Sequence, residues 1–513
     1  MSAKGYAYFN TISEKNQVFF ENFFNINSKF IISLLVSAKK SFFFCENVNF
    51  LYETHIYEVK NMKKGIFMNC LKTAANIGVG FLLPLIIIGS GIYFTKYLSG
   101  FYLIRPARTL RLLFSKEKDV KISPLRALSL SLAGTLGVGN IVGVAVALLL
   151  GGRGALFWMW VSAFFAMILK YAEIVLAMRY RVHRNGKKFG GPMYYMRQGI
   201  GGFLGKILAV LFALLGLISA FSMGSLVQMK AASDAMAETF FVPPSVFGIV
   251  TALICLILLL GGYEKISKLT SVAIPILSVI YLFMAARIVW IESDQIPVLI
   301  REIVKDAFSV SAASGGILGF LFSGAVRHGV AKGCFSHEAG CGTAPMAHAG
   351  ADTKIPAKQG ILGIFEVFFD TLVLCTLTGF VILLATDGSF PTDNGMALVI
   401  FSFSQYYGAK AAYIISISVV LFAVATVICW GYYGLETLSY LNQTKWISKA
   451  YILLYCVITA FGAVMQESAV WEISDFTAAL MTVLNLSAVF WLRRDIREET
   501  EAAGLCPPRS KLG

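Results

Sequence analysis

Ala133-Gly134-Thr135-Leu136-Gly137-Val138-Gly139-Asn140-Ile141-Val142-Gly143 and Gly333-Cys334-Phe335-Ser336-His337-Glu338-Ala339-Gly340-Cys341-Gly342-Thr343-Ala344-Pro345 decide how this chain folds. Each lies in a long apolar stretch and interrupts it with glycines and polar side chains where a membrane helix is ordinarily uniform. A helix broken at mid-membrane exposes peptide N–H and C=O groups to hydrocarbon, which is tolerated only where they line a cavity or hold a ligand. Two such breaks at matching places in two halves of a chain point to a ligand site near the midplane.

The rest of the chain agrees with a membrane setting. It is 57% hydrophobic and 14% charged, with a mean hydropathy of +0.71, which excludes an ordinary soluble domain. At about 20 apolar residues per crossing, eleven spans are expected: 75–96, 125–150, 154–180, 202–235, 244–261, 271–291, 314–345, 358–385, 409–431, 449–466 and 472–493. The net charge of +15 belongs to loops rather than to a nucleic-acid surface. Lys and Arg crowd 105–126, 179–188, 265–268, 354–358, 445–449 and 493–497, whereas 238–244, 386–408 and 466–475 have none. The positive-inside rule then puts 105–126 and the C-terminus in the cytoplasm. Arg153, Arg301 and Lys305 fall on the other side, and Lys63, Lys64 and Lys72 run against the rule before the first span.

Nine cysteines without paired spacing read as small buried hydrophobes, with no disulfide and no transition-metal site expected. Residues 1–61 are rich in Phe, Asn and Lys, lack Arg, and carry an apolar run at 30–36 too short to cross a bilayer. They form no signal peptide and read as an over-extended start, with translation beginning at Met62 or Met68. A peptide covering 46–57 in mass spectra of the purified protein would exclude this.

Apart from the first span, the expected spans divide into 125–291 and 314–493, five in each, and each set opens with a glycine-broken helix. An odd number of crossings forces the second half to start on the opposite side. The expected fold is therefore all-α and polytopic, a LeuT-type 5+5 inverted repeat with one additional N-terminal span. Residues 62–124 hold that span and a basic loop, and 494–513 form a cytoplasmic tail. The connector at 182–191 leads into Pro192-Met193-Tyr194-Tyr195-Met196, readable as a short interfacial helix or an ordinary connector. The long connector 386–407 is a candidate external lid.

In the first break, Gly137 and Gly139 allow close approach to bare backbone. The freed carbonyls suit a cation and the freed N–H groups a carboxylate. The bland alternative is tight packing, since Gly139 and Gly143 also form GxxxG. In the second break, Glu338 reads first as a brace for freed N–H groups and second as a proton or cation site, and His337 as a hydrogen-bonded wall residue. Lys170 and Glu173 have helical neighbour spacing and are expected to satisfy each other. Glu366 and Asp370 share a face and a sign, so at least one needs a cationic partner or a proton, and Lys170 is the candidate partner. Gln228 offers an amide one turn after Gly224, and Thr426 offers a hard oxygen or a bond to its own helix, with Trp430 one turn further on.

Taken in order, GVGNIVGVAVAL at 137–148, GGRGALFWMW at 151–160, KYAE at 170–173, GGPMYY at 190–195, FSHEAG at 335–340, QG at 359–360, FDT at 369–371 and GYYG at 431–434 resemble the alanine or glycine:cation symporter family over about residues 70–495. The resemblance implies a LeuT-type fold and Na⁺-driven uptake of a small neutral amino acid across the inner (plasma) membrane of a prokaryote. It places the substrate carboxylate at Gly137, Gly139, Asn140 and the amide of Gln228. The amine falls at carbonyls near Phe335, and Trp430 is part of the wall. It places Na⁺ at carbonyls of Ala133, Leu136 and Phe422 and the hydroxyl of Thr426. No cofactor beyond Na⁺ or H⁺ and no obligate protein partner is implied.

The chain departs from the family in two places. His337 stands where the family reads SNEAG, and Ala425 where it usually has Ser before Thr. The second departure removes one side-chain oxygen from the cation position, which makes proton coupling the alternative, with His337, Glu338, Glu366 and Asp370 as coupling or bracing residues. A non-transporting sensor keeps the same site. A membrane-embedded enzyme would need clustered catalytic groups that five scattered histidines do not make, and a permanent pore fits two broken helices poorly.

Overall fold

Helix starts follow local chemistry. Proline, which lacks the N–H that a first turn leaves unused, opens α2 (Pro124–Thr135), α6 (Pro244–Leu260) and α11 (Pro356–Thr386). The computed structural model describes residues 82–115, 124–184, 187–309 and 323–508. The extension 1–61, the start of the first span at 75–81, and 314–322 of the expected seventh span lie outside these residues.

In chain order further helices are α1 (Leu83–Tyr97), α3 (Val142–Gly151), α4 (Gly154–Arg179), α5 (Gly202–Phe240), α7 (Gly262–Ile291), α8 (Ile296–Ala307), α9 (Gly324–His337), α10 (Ala344–His348), α12 (Gly395–Tyr407), α13 (Lys410–Leu441), α14 (Lys445–Gly462), α15 (Glu467–Trp491) and α16 (Arg493–Ala502), with short helical segments at Phe101–Ile104, Pro106–Leu113 and Pro192–Tyr195. Five described helices are long and apolar enough to cross a bilayer, or six if the pair 275–291 and 293–307, bent by 71°, is one span. The two stretches singled out first account for part of the shortfall from eleven. The first is α2 and α3 joined by a single turn at Val138–Asn140; the second is α9 and α10 joined by a non-helical turn, so 314–345 is not one helix.

α4 is buried from Ala166 to Met178, and the middle of α13 is largely buried. α4 packs against α1, α9 and α11, and α13 against α5, α7 and α2. Large apolar side chains stay exposed elsewhere, as at Leu253 and Ile257 of α6 and Phe283 of α7, a surface suited to lipid. Two helices widen locally into π-turns, α5 at Ser222–Leu226 and α11 at Phe368–Cys375. The second carries Asp370, and such turns recur where a side chain must be re-aimed.

Three connectors differ from expectation. Residues 182–191 form an antiparallel hairpin, β1 (Val182–Arg184) with β2 (Lys187–Phe189). The helix after it, Pro192–Tyr195, is buried rather than lying on the interface, because protein covers it: Pro192 packs at Gly342, and the Tyr195 hydroxyl donates to Asn485. Much of 386–407 is α12, capped by the Asn394 side-chain oxygen Oδ1 accepting from the Ala397 N–H at 2.8 Å.

Candidate functional site

The two breaks meet each other. A Cβ added at Gly139 would lie 3.0 Å from the Phe335 ring and 3.3 Å from the Ser336 Cα. One added at Gly137 would lie 2.5 Å from Thr426 Oγ1 and 2.9 Å from Gln228 Oε1. Gly137 itself is extended (φ −130°, ψ −148°), so close approach, not handedness, requires glycine there. Gly143 has ordinary room, with Trp471 at 3.6 Å, so the GxxxG reading does not describe the tight contact.

Asn140 knots the breaks together. Its Nδ2 donates to Ser336 Oγ at 2.9 Å and Asp370 Oδ1 at 2.8 Å, while its Oδ1 accepts from the Gly137 N–H at 3.2 Å. Ser336 and Thr371 donate to Asp370 Oδ2 at 2.7 and 2.8 Å. Asp370 is therefore held by neutral donors from both breaks and from its own helix. Gln228 reaches the same place, but its Oε1 accepts from the Val138 N–H at 3.0 Å and its Nε2 donates to the Met223 carbonyl at 3.3 Å. In this conformation the amide occupies one of the freed donors that the sequence reading gave to a carboxylate.

Of the oxygens assigned to the cation, Thr426 Oγ1 lies 3.0 Å from the Ala133 carbonyl, to which it donates. This bond, across to α2 rather than back along its own helix, brings two members of the set together. Leu136, Gly137, Asn140 and Phe422 line one narrow pocket with Ile141, Tyr281 and Leu374. The last two escaped sequence reading, since an apolar-helix tyrosine and leucine carry no local signal; Tyr281 is turned inward by a 2.7 Å bond to Thr378.

The second break is braced from three sides. Glu338 adopts a left-handed backbone (φ +53°), and Gly340 and Gly342 follow at +91° and +80°. Its side chain accepts from Trp430 Nε1 at 3.0 Å and from the Thr343 hydroxyl, so it braces through side chains rather than through freed N–H groups. Glu173 accepts from Asn485 Nδ2, which also donates to the Gly340 carbonyl at 2.8 Å. Glu173 and Lys170 thus do not form the neighbour pair expected of them: each turns to a partner outside α4. Lys170 Nζ lies 3.0 Å from Glu366 Oε1 and donates to the His337 carbonyl at 2.7 Å, which is the candidate pairing with Glu366. His337 Nδ1 accepts from the Ala339 N–H at 3.0 Å, as a wall residue would.

Two carbonyls in the last turn of α9 are taken, Cys334 by the Glu338 N–H at 2.8 Å and His337 by Lys170. Phe335 sits between the breaks, its ring edge-on to Trp471 at 4.8 Å between centroids. Trp430 is fully buried against Gly224. Toward the α15 side, Lys332 binds both oxygens of Asp475 at 2.7 and 2.9 Å and lies 4.0 Å over the Trp471 ring. Lys332, like Lys170, is a buried charge inside an apolar segment. His348, passed over as scattered, contacts Glu366 Oε2 at 3.1 Å. The seven described cysteines are buried and free; Cys334 and Cys341 come to 3.9 Å, far beyond a bonded pair.

Comparison with known proteins gives the same family as the motifs. The chain is 38% identical over 445 residues to the sodium/alanine symporter AgcS of Methanococcus maripaludis, covering 85% of this chain and 97% of that one. It is 35% identical over 416 residues to a Bacillus subtilis protein named as a probable sodium/glutamine symporter, GlnT, covering 80% and 86%. Its fold resembles the crystal structure of a mutant of the Eremococcus coleocola manganese transporter, with a TM-score of 0.50 at 12% identity, over 74% of this chain and 81% of that one. A sequence model of the sodium:alanine symporter family matches residues 64–502, and the chain belongs to that family.

Proposed function

We propose that the protein imports a small neutral amino acid, alanine or glycine, together with Na⁺, by alternating access in a LeuT-type 5+5 fold of eleven crossings with the C-terminus in the cytoplasm. The observation that carries this reading is the closure of the two breaks on each other at Gly139, Asn140, Phe335 and Ser336, with Thr426 and Ala133 beside them. The names of AgcS and GlnT support an amino acid and Na⁺ as the class of ligands.

Binding then divides among the chain's own groups. The substrate carboxylate takes backbone N–H groups at 137–140 once Gln228 releases Val138, and the positive end of α3 favours it. The amine takes the Phe335 carbonyl. Trp430, fixed by Glu338, closes one wall, and the contact of Phe335 with Gly139 keeps the space small. Na⁺ takes the carbonyls of Ala133, Leu136 and Phe422 and the hydroxyl of Thr426, oxygen ligands that suit a hard cation.

This predicts a specific defect. Thr426→Val keeps the shape but removes the hydroxyl, and the Na⁺ concentration for half-maximal alanine uptake into proteoliposomes is expected to rise about tenfold or more, as loss of roughly 1.4 kcal/mol requires. An unchanged Na⁺ dependence would move the cation elsewhere. Proton coupling remains the second reading because Asp370 joins both breaks with neutral donors only; uptake driven by a pH gradient without Na⁺ would establish it.

A further inference from the structure

We propose that Lys170 is a tethered internal cation that positions Glu366 and keeps it out of proton exchange during transport, so that this carboxylate takes no part in coupling. The inference rests on the proposed cation-coupled transport. Lys170 and Glu366 are both fully buried, 3.0 Å apart. Glu366 Oε1 also accepts from Ser131 at 2.8 Å and Thr135 at 3.3 Å. On the other oxygen, His348 Nε2 stands at 3.1 Å. The Gln359 amide faces the other ring nitrogen, His348 Nδ1, at 2.7 Å. Among the groups that touch this carboxylate, Lys170 supplies the ammonium that balances it.

The pair also bridges both breaks. Ser131 and Thr135 belong to α2, the half-helix leading into the first. The His337 carbonyl that Lys170 takes ends α9, where an ammonium is favoured by the helix dipole. The other titratable groups facing the pair are Glu173 on α4, His337 and Glu338 at the second break, and Asp370 further along α11. From α13 come Cys429 and Tyr433. Among these facing groups none is a second lysine or arginine. Without Lys170, Glu366 would be an uncompensated carboxylate within the membrane and would draw a proton or a cation from solution.

The test compares wild type, Lys170→Met, Glu366→Gln and the double variant Lys170→Met/Glu366→Gln in proteoliposomes. Alanine uptake under a fixed Na⁺ gradient is read from about pH 6 to 8, with an internal pH dye recording proton entry on alanine addition. Lys170→Met is expected to gain alanine-driven proton entry above the wild-type level and to lose uptake about tenfold as pH rises, the effect of one required proton over one to two pH units. The double variant, which removes both charges, is expected to return to the wild-type pH profile. A Lys170→Met profile that matches wild type, or a double variant that keeps the pH dependence, overturns the proposal. If Lys170→Met does not accumulate, the double variant decides: wild-type-like pH dependence supports the proposal and its absence overturns it. Wild-type protein with no cation-dependent alanine uptake would instead sink the functional reading.

Discussion

Gly137→Ala is expected to lose about a hundredfold or more of alanine uptake while remaining folded in the membrane, since a displacement approaching 1 Å at a reacting or binding centre costs on that order. The new Cβ would sit 2.5 Å from Thr426 Oγ1 and 2.9 Å from Gln228 Oε1, both well inside van der Waals contact. The backbone at Gly137 is open to any residue, so helix propensity and strain are not the cause. Relief must come from moving Thr426 off Ala133 or Gln228 off Val138, and either movement opens the proposed cation or carboxylate position. Gly143→Ala is the control: its nearest neighbour is Trp471 at 3.6 Å, and near-wild-type uptake is expected. Equal loss in both variants would return the glycines to a helix-packing role.

The second large effect is at Glu338. Glu338→Ala leaves the indole N–H of Trp430 and the Thr343 hydroxyl without their acceptor in a buried site, and each unsatisfied group costs about 1–3 kcal/mol. The left-handed backbone at φ +53° costs glutamate and alanine alike, since both carry a Cβ, so the loss comes from the hydrogen bonds. Transport is expected to fall to background and the melting temperature in detergent to drop. Glu338→Gln keeps an oxygen for Trp430, and its amide can donate to Thr343 Oγ1 if that hydroxyl turns away. Its melting temperature should fall far less. If Gln and Ala are equally destabilising, charge rather than hydrogen bonding is what the second break needs from this position.

Much of the frame was legible because hydrocarbon allows few solutions. Apolar length and glycine placement located most helices from Gly154–Arg179 to Glu467–Trp491 within about five residues and placed both breaks, but α7 begins at 262 rather than 271 and α13 runs to 441 rather than 431. Which polar groups pair was less legible. Lys170 and Glu173 have the spacing of partners, yet they occupy a helix enclosed by α1, α9 and α11, so both side chains found stronger partners across helix boundaries. Glu338 braces the second break through Trp430 and Thr343 rather than through freed N–H groups, because those groups point where the turn sends them, and φ at Gly340 and Gly342 cannot be read from composition. Tyr281, Leu374 and His348 come to the site through tertiary packing alone.

The most direct measurement is alanine uptake into proteoliposomes holding the purified protein, with an inward Na⁺ gradient at equal pH on both sides, set against a pH gradient without Na⁺. Accumulation above equilibrium with the Na⁺ gradient alone, abolished in Gly137→Ala, is the predicted result. Accumulation that follows the pH gradient and ignores Na⁺, or alanine binding with no net flux under either gradient, would contradict it.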